Sequence, residues 1–165
     1  LIGVISHLET GKYLAGLVDN TISPSYLPII LFIISGMMAF ATGTSWGSFG
    51  IMLPIAGDMA AVADITMLMP MLSAVLAGAV FGDHCSPISD TTILSSTGAS
   101  CHHIDHVTTQ LPYAISIALV SIVGYLIMGI TASAITGFIA ALIVFLIIIS
   151  IFWKLSDRLP SINID

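Results

Sequence analysis

Apolar runs and short polar interruptions alternate along the whole chain, and the interruptions mark its elements. Ser23 to Pro28 reads as a helix start, with proline tolerated in the first turn, and apolar residues then fill positions 27–41. That run makes roughly 22 Å of helix at about 1.5 Å per residue, short of the roughly 20 residues a full crossing takes. It stops at Thr42-Gly43-Thr44-Ser45-Trp46-Gly47-Ser48, where six of seven residues disfavour helix. A second short run over 49–62, holding Pro54 and Asp58, follows. Two short helices around a polar tip predict a re-entrant hairpin over residues 23–63, its irregular backbone set against protein or a wet cavity. One long helix kinked at its glycines is the alternative.

Asp64 to Pro70 predicts a loop and helix start, and the apolar run 67–81 leads into Gly82-Asp83-His84-Cys85-Ser86-Pro87-Ile88-Ser89-Asp90-Thr91-Thr92. Pro87 has no N–H and clashes with the carbonyl four residues back, at Asp83. It also pushes Ser86 out of the α region. The pattern predicts a transmembrane helix over residues 64–100 that breaks near Asp83 and resumes at Ser89 or Asp90, either of which can cap it. Carbonyls freed at the first half's end carry partial negative charge.

At the two ends the pattern is plainer. Residues 1–22 place Leu1, Val4, Ile5, Leu8, Leu14, Leu17 and Val18 at helical spacing, interrupted by His7, Glu9 and Lys12, as a truncated span or, preferably, an interfacial helix does. Residues 101–110 read as a polar loop. Residues 111–165 read as two transmembrane helices and a C-terminal tail: one span over 111–129 with Pro112 near its first turn, a tight link at Gly129-Ile130-Thr131, and an antiparallel neighbour ending at Trp153, an interface anchor. Lys154 and Arg158 then place the C-terminus in the cytoplasm by the positive-inside rule, with the His-rich loop cytoplasmic and the hairpin opening outward.

Composition fixes the class. The chain is 57% hydrophobic and 7% charged, against about 25% charged in soluble domains, so an all-α polytopic membrane protein with the lipid bilayer as its partner is expected. Nothing between Lys12 and Lys154 is basic, which excludes nucleic acid as a partner. The chain opens on Leu1 without a signal-peptide pattern, so it is expected to lack an N-terminal part, and many transporters are built from two repeats. Cys85 and Cys101 are too few for a disulfide framework.

The chemistry sits in the polar breaks. A charge in lipid costs about 2.5–3.5 kcal/mol on insertion scales, so intramembrane carboxylates point to ion handling. Asp83 and Asp90 lead. On a regular helix they would stand about 10.5 Å apart along the axis, and unwinding at Pro87 lets them approach. Withdrawal from water favours a neutral carboxyl and a bound sodium ion favours a carboxylate, so proton and sodium compete for one group. That competition gives exchange when access alternates between the two sides. For either aspartate, capping a half-helix is the plainer alternative. Thr44, Ser45, Ser48, Ser86, Ser89, Thr91 and Thr92 supply oxygens for such a shell, or satisfy backbone groups at helix ends. His84 is either a proton relay or a packed, hydrogen-bonded histidine. Gly43, Gly47 and Gly50 allow close backbone approach. Asp58 is read as solvated near the outer surface. Cys101-His102-His103-Asp105-His106 has transition-metal ligand types at no standard zinc spacing. The chain carries no His-Glu-x-x-His motif, so neither an enzyme nor a resident cofactor is expected.

Two stretches carry a resemblance. Thr44-Ser45-Trp46-Gly47-Ser48-Phe49-Gly50-Ile51-Met52-Leu53-Pro54-Ile55, and the break itself continued to Ala99, strongly resemble the C-terminal half of the NhaC-type sodium/proton antiporters, with similarity over most of residues 26–130. The resemblance places the chain in the broader ion-transporter superfamily. It implies two inverted repeats, each with a hairpin and a broken helix meeting near the midplane, and a missing N-terminal half as partner. It further implies a multi-pass protein of the cell membrane; Asp83 and Asp90, read above from the residues, are the expected sodium ligands, and a homodimer is left open. The function implied is exchange of sodium for protons. Relatives of this type are also associated with malate/lactate exchange and sodium-coupled amino-acid uptake, so a coupled organic-anion or amino-acid carrier is the alternative.

Overall fold

The computed structural model describes residues 2–19 and 22–156, which leaves Arg158 and its topological signal outside the described residues. Among the described residues the regular structure is helical throughout. The elements are α1 (Ile2–His7), α2 (Thr10–Asp19), α3 (Leu27–Thr42), α4 (Ser45–Ala63), α5 (Leu68–Cys85), α6 (Asp90–Gly98), α7 (His103–Thr131) and α8 (Ala134–Ser156), with short 3-10 turns before α3 and α5. Five segments are long and apolar enough to cross a membrane: Pro24–Thr42, Ser45–Ala63, Ile65–Cys85, His103–Thr131 and Ala134–Leu155. This is a multi-pass membrane protein.

The core is α3, α4 and α5. Leu27 and Leu31 at the start of α3 pack with Met59 and Ala60 at the end of α4 and with Met67 and Met71 around the start of α5. Thus α3 and α5 run parallel, with α4 antiparallel to both. The α3–α5 seam is made by glycine. A Cβ on Gly78 would overlap the carbonyl oxygen of Phe32, and one on Gly82 would overlap that of Gly36. Lipid tails are as apolar as leucine, so helices in a bilayer associate by such close backbone packing. On the far side of the seam Phe32 stacks on Phe81 at 6.0 Å and meets Tyr125 of α7 at 5.7 Å. Helix α8 pairs with α7 where Gly124 faces Ala141 and Gly137, and its outer residues, among them Phe138, Ile143 and Leu146, are exposed as a lipid-facing helix requires.

Several elements differ from the sequence expectation. The hairpin turn is Gly43 and Thr44, not residues 42–48: Gly43 takes φ 68°, Thr44 is extended, and α4 starts at Ser45. Serines and glycines weaken a helix interior but suit its first turn, where N–H groups have no intrahelical partner anyway. Helix α4 is therefore 19 residues long and not a short arm. The expected loop at 101–110 is helical from His103, and Thr108 and Thr109 are accommodated there by folding their hydroxyls onto the carbonyls of Ile104 and Asp105. The link after α7 falls at Ala132 and Ser133, with Ala132 at φ 51°, not at 129–131. The N-terminal stretch is two helices parted at Glu9, φ 48°. Asp58 is half-buried against α2, where a Cβ on Gly11 would stand 2.7 Å from its Oδ2. A carboxylate there complements the positive N-terminal end of α2.

Asp64 closes the α4–α5 connection. Its Oδ1 accepts from the Thr66 N–H at 2.9 Å and the Thr66 hydroxyl at 2.7 Å. These bonds, the hydroxyl first, hold its carboxyl below the usual carboxylate range. A depressed folded value means the contribution is complete above the unfolded value and is lost as pH falls through the folded one. Asp64→Ala is therefore expected to lower the thermal unfolding temperature at neutral pH and to match the parent protein in strong acid, by unfolding scans in detergent across pH.

Candidate functional site

The hairpin turn and the helix break meet. A Cβ on Gly43 would stand 2.8 Å from the carbonyl oxygen of Ile88, so glycine is needed there both for its left-handed φ and for the approach. Ser86 leaves α5 in extended conformation, φ −76° and ψ 126°, as a residue before proline should. Its hydroxyl donates to the Phe40 carbonyl at 2.8 Å, meeting one of the acceptors left over at the end of α3. Four residues, Ser86 to Ser89, then carry the chain from α5 to α6.

Asp83 lies at the centre of this junction, in the last turn of α5 and 5% exposed. The Ser89 hydroxyl donates to its Oδ1 at 2.6 Å and the Ser45 hydroxyl donates to its Oδ2 at 3.1 Å. Ser89 Oγ lies 2.6 Å from Thr91 Oγ1, extending the chain of hydroxyls. A carboxylate so far from water needs partners, and here they are neutral hydroxyls, with no ion pair to Asp83 among the described residues. The arrangement gathers a buried carboxyl group and rotatable hydroxyl oxygens in one place, which suits a small hard cation or a proton.

The remaining candidates are distributed around that centre. Asp90 is exposed in the first turn of α6, its Oδ1 accepting from the Thr91 N–H at 2.8 Å, and shares no hydrogen bond with Asp83. Ser89 occupies the N-cap position of α6, but its hydroxyl serves Asp83 instead of the helix end. Ser48 is buried and donates to the Thr44 carbonyl at 3.2 Å, which is the backbone role weighed for it. Thr92 is buried, and its hydroxyl makes no hydrogen bond among the described residues. Gly47 is exposed and meets only a Thr44 methyl group. His84 is exposed, its Nδ1 3.0 Å from the Val80 carbonyl of its own helix. Among the described residues no three His, Cys, Asp or Glu side chains gather as metal ligands would, so the 101–106 cluster does not form one.

The carbonyls expected to be free at the break mostly have donors. Asp83 O accepts from the Ser86 N–H, Ser86 O from the Ser89 N–H, and His84 O from the Gln110 side chain at 2.9 Å. Proline removed a helical donor, and turn N–H groups together with the Gln110 side chain serve these carbonyls, as backbone at membrane depth requires. Gln110, the His103 contact to Pro87 and the glycine seam beneath Asp83 were not anticipated. The spacing Gly78-x-x-x-Gly82 in an apolar helix was the available signal for the seam.

The Na+/H+ antiporter family model matches residues 1–130. The chain belongs to the Na+/H+ antiporter family. Its similarity to an uncharacterized protein of Haemophilus influenzae is 58% identity over 146 residues, 88% of this chain and 28% of that one. A second protein of that organism, named an uncharacterized Na+/H+ antiporter, is 34% identical over 67% of this chain and 23% of its own. The malate-2H+/Na+-lactate antiporter of Bacillus subtilis is 36% identical over 66% of this chain and 24% of its own. The chain thus spans about a quarter of the length of these relatives. No solved structure matches it.

Proposed function

We propose that this chain forms the C-terminal half of an NhaC-type secondary transporter that exchanges sodium for protons across the cell membrane. It acts as a carrier, not an enzyme. Asp83 is the coupling group, alternately binding a proton and a sodium ion. Ser45, Ser89 and Thr91 supply the surrounding oxygens, and the Thr92 hydroxyl lies one residue beyond them. The observation that carries this reading is a nearly buried carboxylate held only by hydroxyls at the meeting point of a helix break and a glycine turn. Hydroxyls serve either form: they donate to the carboxylate when no cation is bound, and turn their lone pairs toward a cation when one is. The break and turn are the non-helical parts of an otherwise helical scaffold, and in the intact transporter they face their counterparts in an inverted repeat, with α3 and α4 as the arms of a re-entrant hairpin.

A coupled organic-anion carrier on the same scaffold is the second reading, favoured by the malate-2H+/Na+-lactate relative. Among the described residues Lys12 and Lys154 are the lysine and arginine side chains, and neither lies at the break. The N-terminus of α6 is the group that would meet a substrate carboxylate. Flux by the complete polypeptide in proteoliposomes separates the two. A sodium gradient alone is expected to drive protons the other way, with no requirement for malate, lactate or an amino acid. Counterflow that needs a carbon substrate would replace the first reading with the second.

A further inference from the structure

We propose that the Ser35 hydroxyl of α3 is a further ligand of the cation bound at Asp83, supplied from the core beneath the carboxylate. It rests on the reading of Asp83 as the coupling group and adds a residue to that site. Ser35 is 0% exposed, and its hydroxyl makes no hydrogen bond among the described residues. Other serines inside the long helices behave differently. Ser48, Ser116, Ser121 and Ser150 each donate to the carbonyl four residues back on their own helix. A hydroxyl withdrawn from water without a partner is costly, and buried polar groups nearly always have one. The surroundings of Ser35 identify the missing partner as the ion.

Register sets its depth. Helices α3 and α5 run parallel, with Gly36 against Gly82 and the Phe40 carbonyl bonded to Ser86, an offset of 46 residues. Asp83 is therefore level with Met37, and Ser35 stands two residues deeper, about 3 Å by helical rise. Periodicity sets its direction. Leu27, Leu31 and Ser35 recur every four residues, and the two leucines pack into the cluster shared with α4 and α5. Ser35 continues the face they present. The other two helices change character in the same way: Ser48 precedes Met52 by one turn on α4, and Asp83 follows Val75 and Ala79 on α5. One end of this three-helix core is apolar, and the other holds Ser35, Ser45, Ser48 and Asp83, all buried. Ser45 reaches Asp83 from α4 at 3.1 Å and Ser89 reaches it from the break at 2.6 Å. The other hydroxyl of α3, on Thr42, bonds the Met38 carbonyl of its own helix, so Ser35 is the one that α3 has to offer. A hard cation that enters a buried site exchanges its water for protein oxygens. Leu31, Met52 and Val75 close the core beyond Ser35 and supply none.

The test is the rise in unfolding temperature that sodium produces in the complete polypeptide in detergent, with sodium chloride exchanged for choline chloride at constant ionic strength. A ligand that binds only the folded state raises its stability once its concentration passes the dissociation constant. Ser35→Ala removes a hydroxyl that has no partner, so without sodium it should unfold at the parent's temperature or above it. It should need about tenfold more sodium for the same rise, the loss expected for one ligand of hydrogen-bond strength. Ser35→Cys keeps a group of similar size that can hydrogen-bond, but sulfur is a soft ligand that suits a hard cation poorly. It should lose sodium affinity as the alanine variant does, whereas a purely structural role would tolerate it. Ser150→Ala, on α8, should match the parent. Parental sodium dependence in either Ser35 variant overturns the proposal and leaves the reading of Asp83 standing. A sodium response that survives Asp83→Asn, or a parent that shows none, overturns that reading and this inference with it. Should Ser35→Ala fail to fold, the sodium dependence of Ser35→Cys decides.

Discussion

Asp83→Asn is expected to abolish ion-coupled flux by the complete polypeptide while leaving its helices folded. Asparagine matches the shape of aspartate and keeps an oxygen for the Ser89 or Ser45 hydroxyl, which now stand 2.6 and 3.1 Å from the carboxylate. What it removes is the charge. An ion about 4 Å from a unit charge at an effective dielectric of about 20 gains roughly 4 kcal/mol, so cation affinity should fall by roughly a thousandfold. The proton-binding step is lost as well. The measurement is sodium-driven proton counterflow in proteoliposomes, with circular dichroism and unfolding temperature as the check on folding. Ser89→Ala should be milder. A hydrogen bond to a charged group contributes about 1.5–3 kcal/mol, so a loss of roughly ten- to a hundredfold in apparent sodium affinity is expected. Asp90→Asn should stay near the parent, because Asp90 is exposed and bonds only within its own turn. Retained exchange in Asp83→Asn together with a dead Asp90→Asn would move the coupling role to α6.

The sequence was most informative where local chemistry decides the backbone. Pro87 dictates the end of α5 through its missing N–H and its effect on Ser86, and the observed break at Ser86–Ser89 follows from those two constraints. The apolar runs likewise mark the spans. Local chemistry misled where polar residues can serve a helix as well as end one. Ser45, Gly47 and Ser48 looked like turn residues and instead form the first turn of α4, while Thr108 and Thr109 looked like loop residues and instead bond their own helix. The one-dimensional pattern ranks Asp83 only slightly ahead of Asp90, because Asp90 can also cap the second half-helix. Both are aspartates beside a proline, and only the packing of α3 and α4 around the end of α5 buries one and leaves the other outside. The contact between His103 Nε2 and the Pro87 carbonyl, 2.7 Å long, spans sixteen residues and joins parts that no periodicity connects.

Gly82→Ala should be among the most damaging single-methyl additions in the chain, and its contrast with Gly57→Ala tests the α3–α5 seam directly. On an open helical face, alanine in place of glycine is favourable by roughly 0.5–1 kcal/mol. Gly57 on α4 is such a place: a Cβ there meets nothing within 4 Å, so Gly57→Ala should leave stability unchanged or raise it. At Gly82 the same methyl would overlap the Gly36 carbonyl oxygen and stand 2.9 Å from the Phe40 N. Those atoms are backbone, so no rotamer change relieves the overlap and α3 and α5 must separate. Overpacking a tight site costs about 1–3 kcal/mol, and the upper end applies when whole helices have to move. The damage should also reach function, since Gly82 adjoins Asp83 and the Ser86–Phe40 bond at 2.8 Å depends on the same spacing. Loss of stability and weakened sodium affinity are therefore expected together in Gly82→Ala, read by thermal unfolding in detergent and by flux in liposomes. Equal unfolding temperatures for the two variants would mean that α3 and α5 do not touch through glycine, and the placement of Asp83 against Ser45 would lose its structural basis.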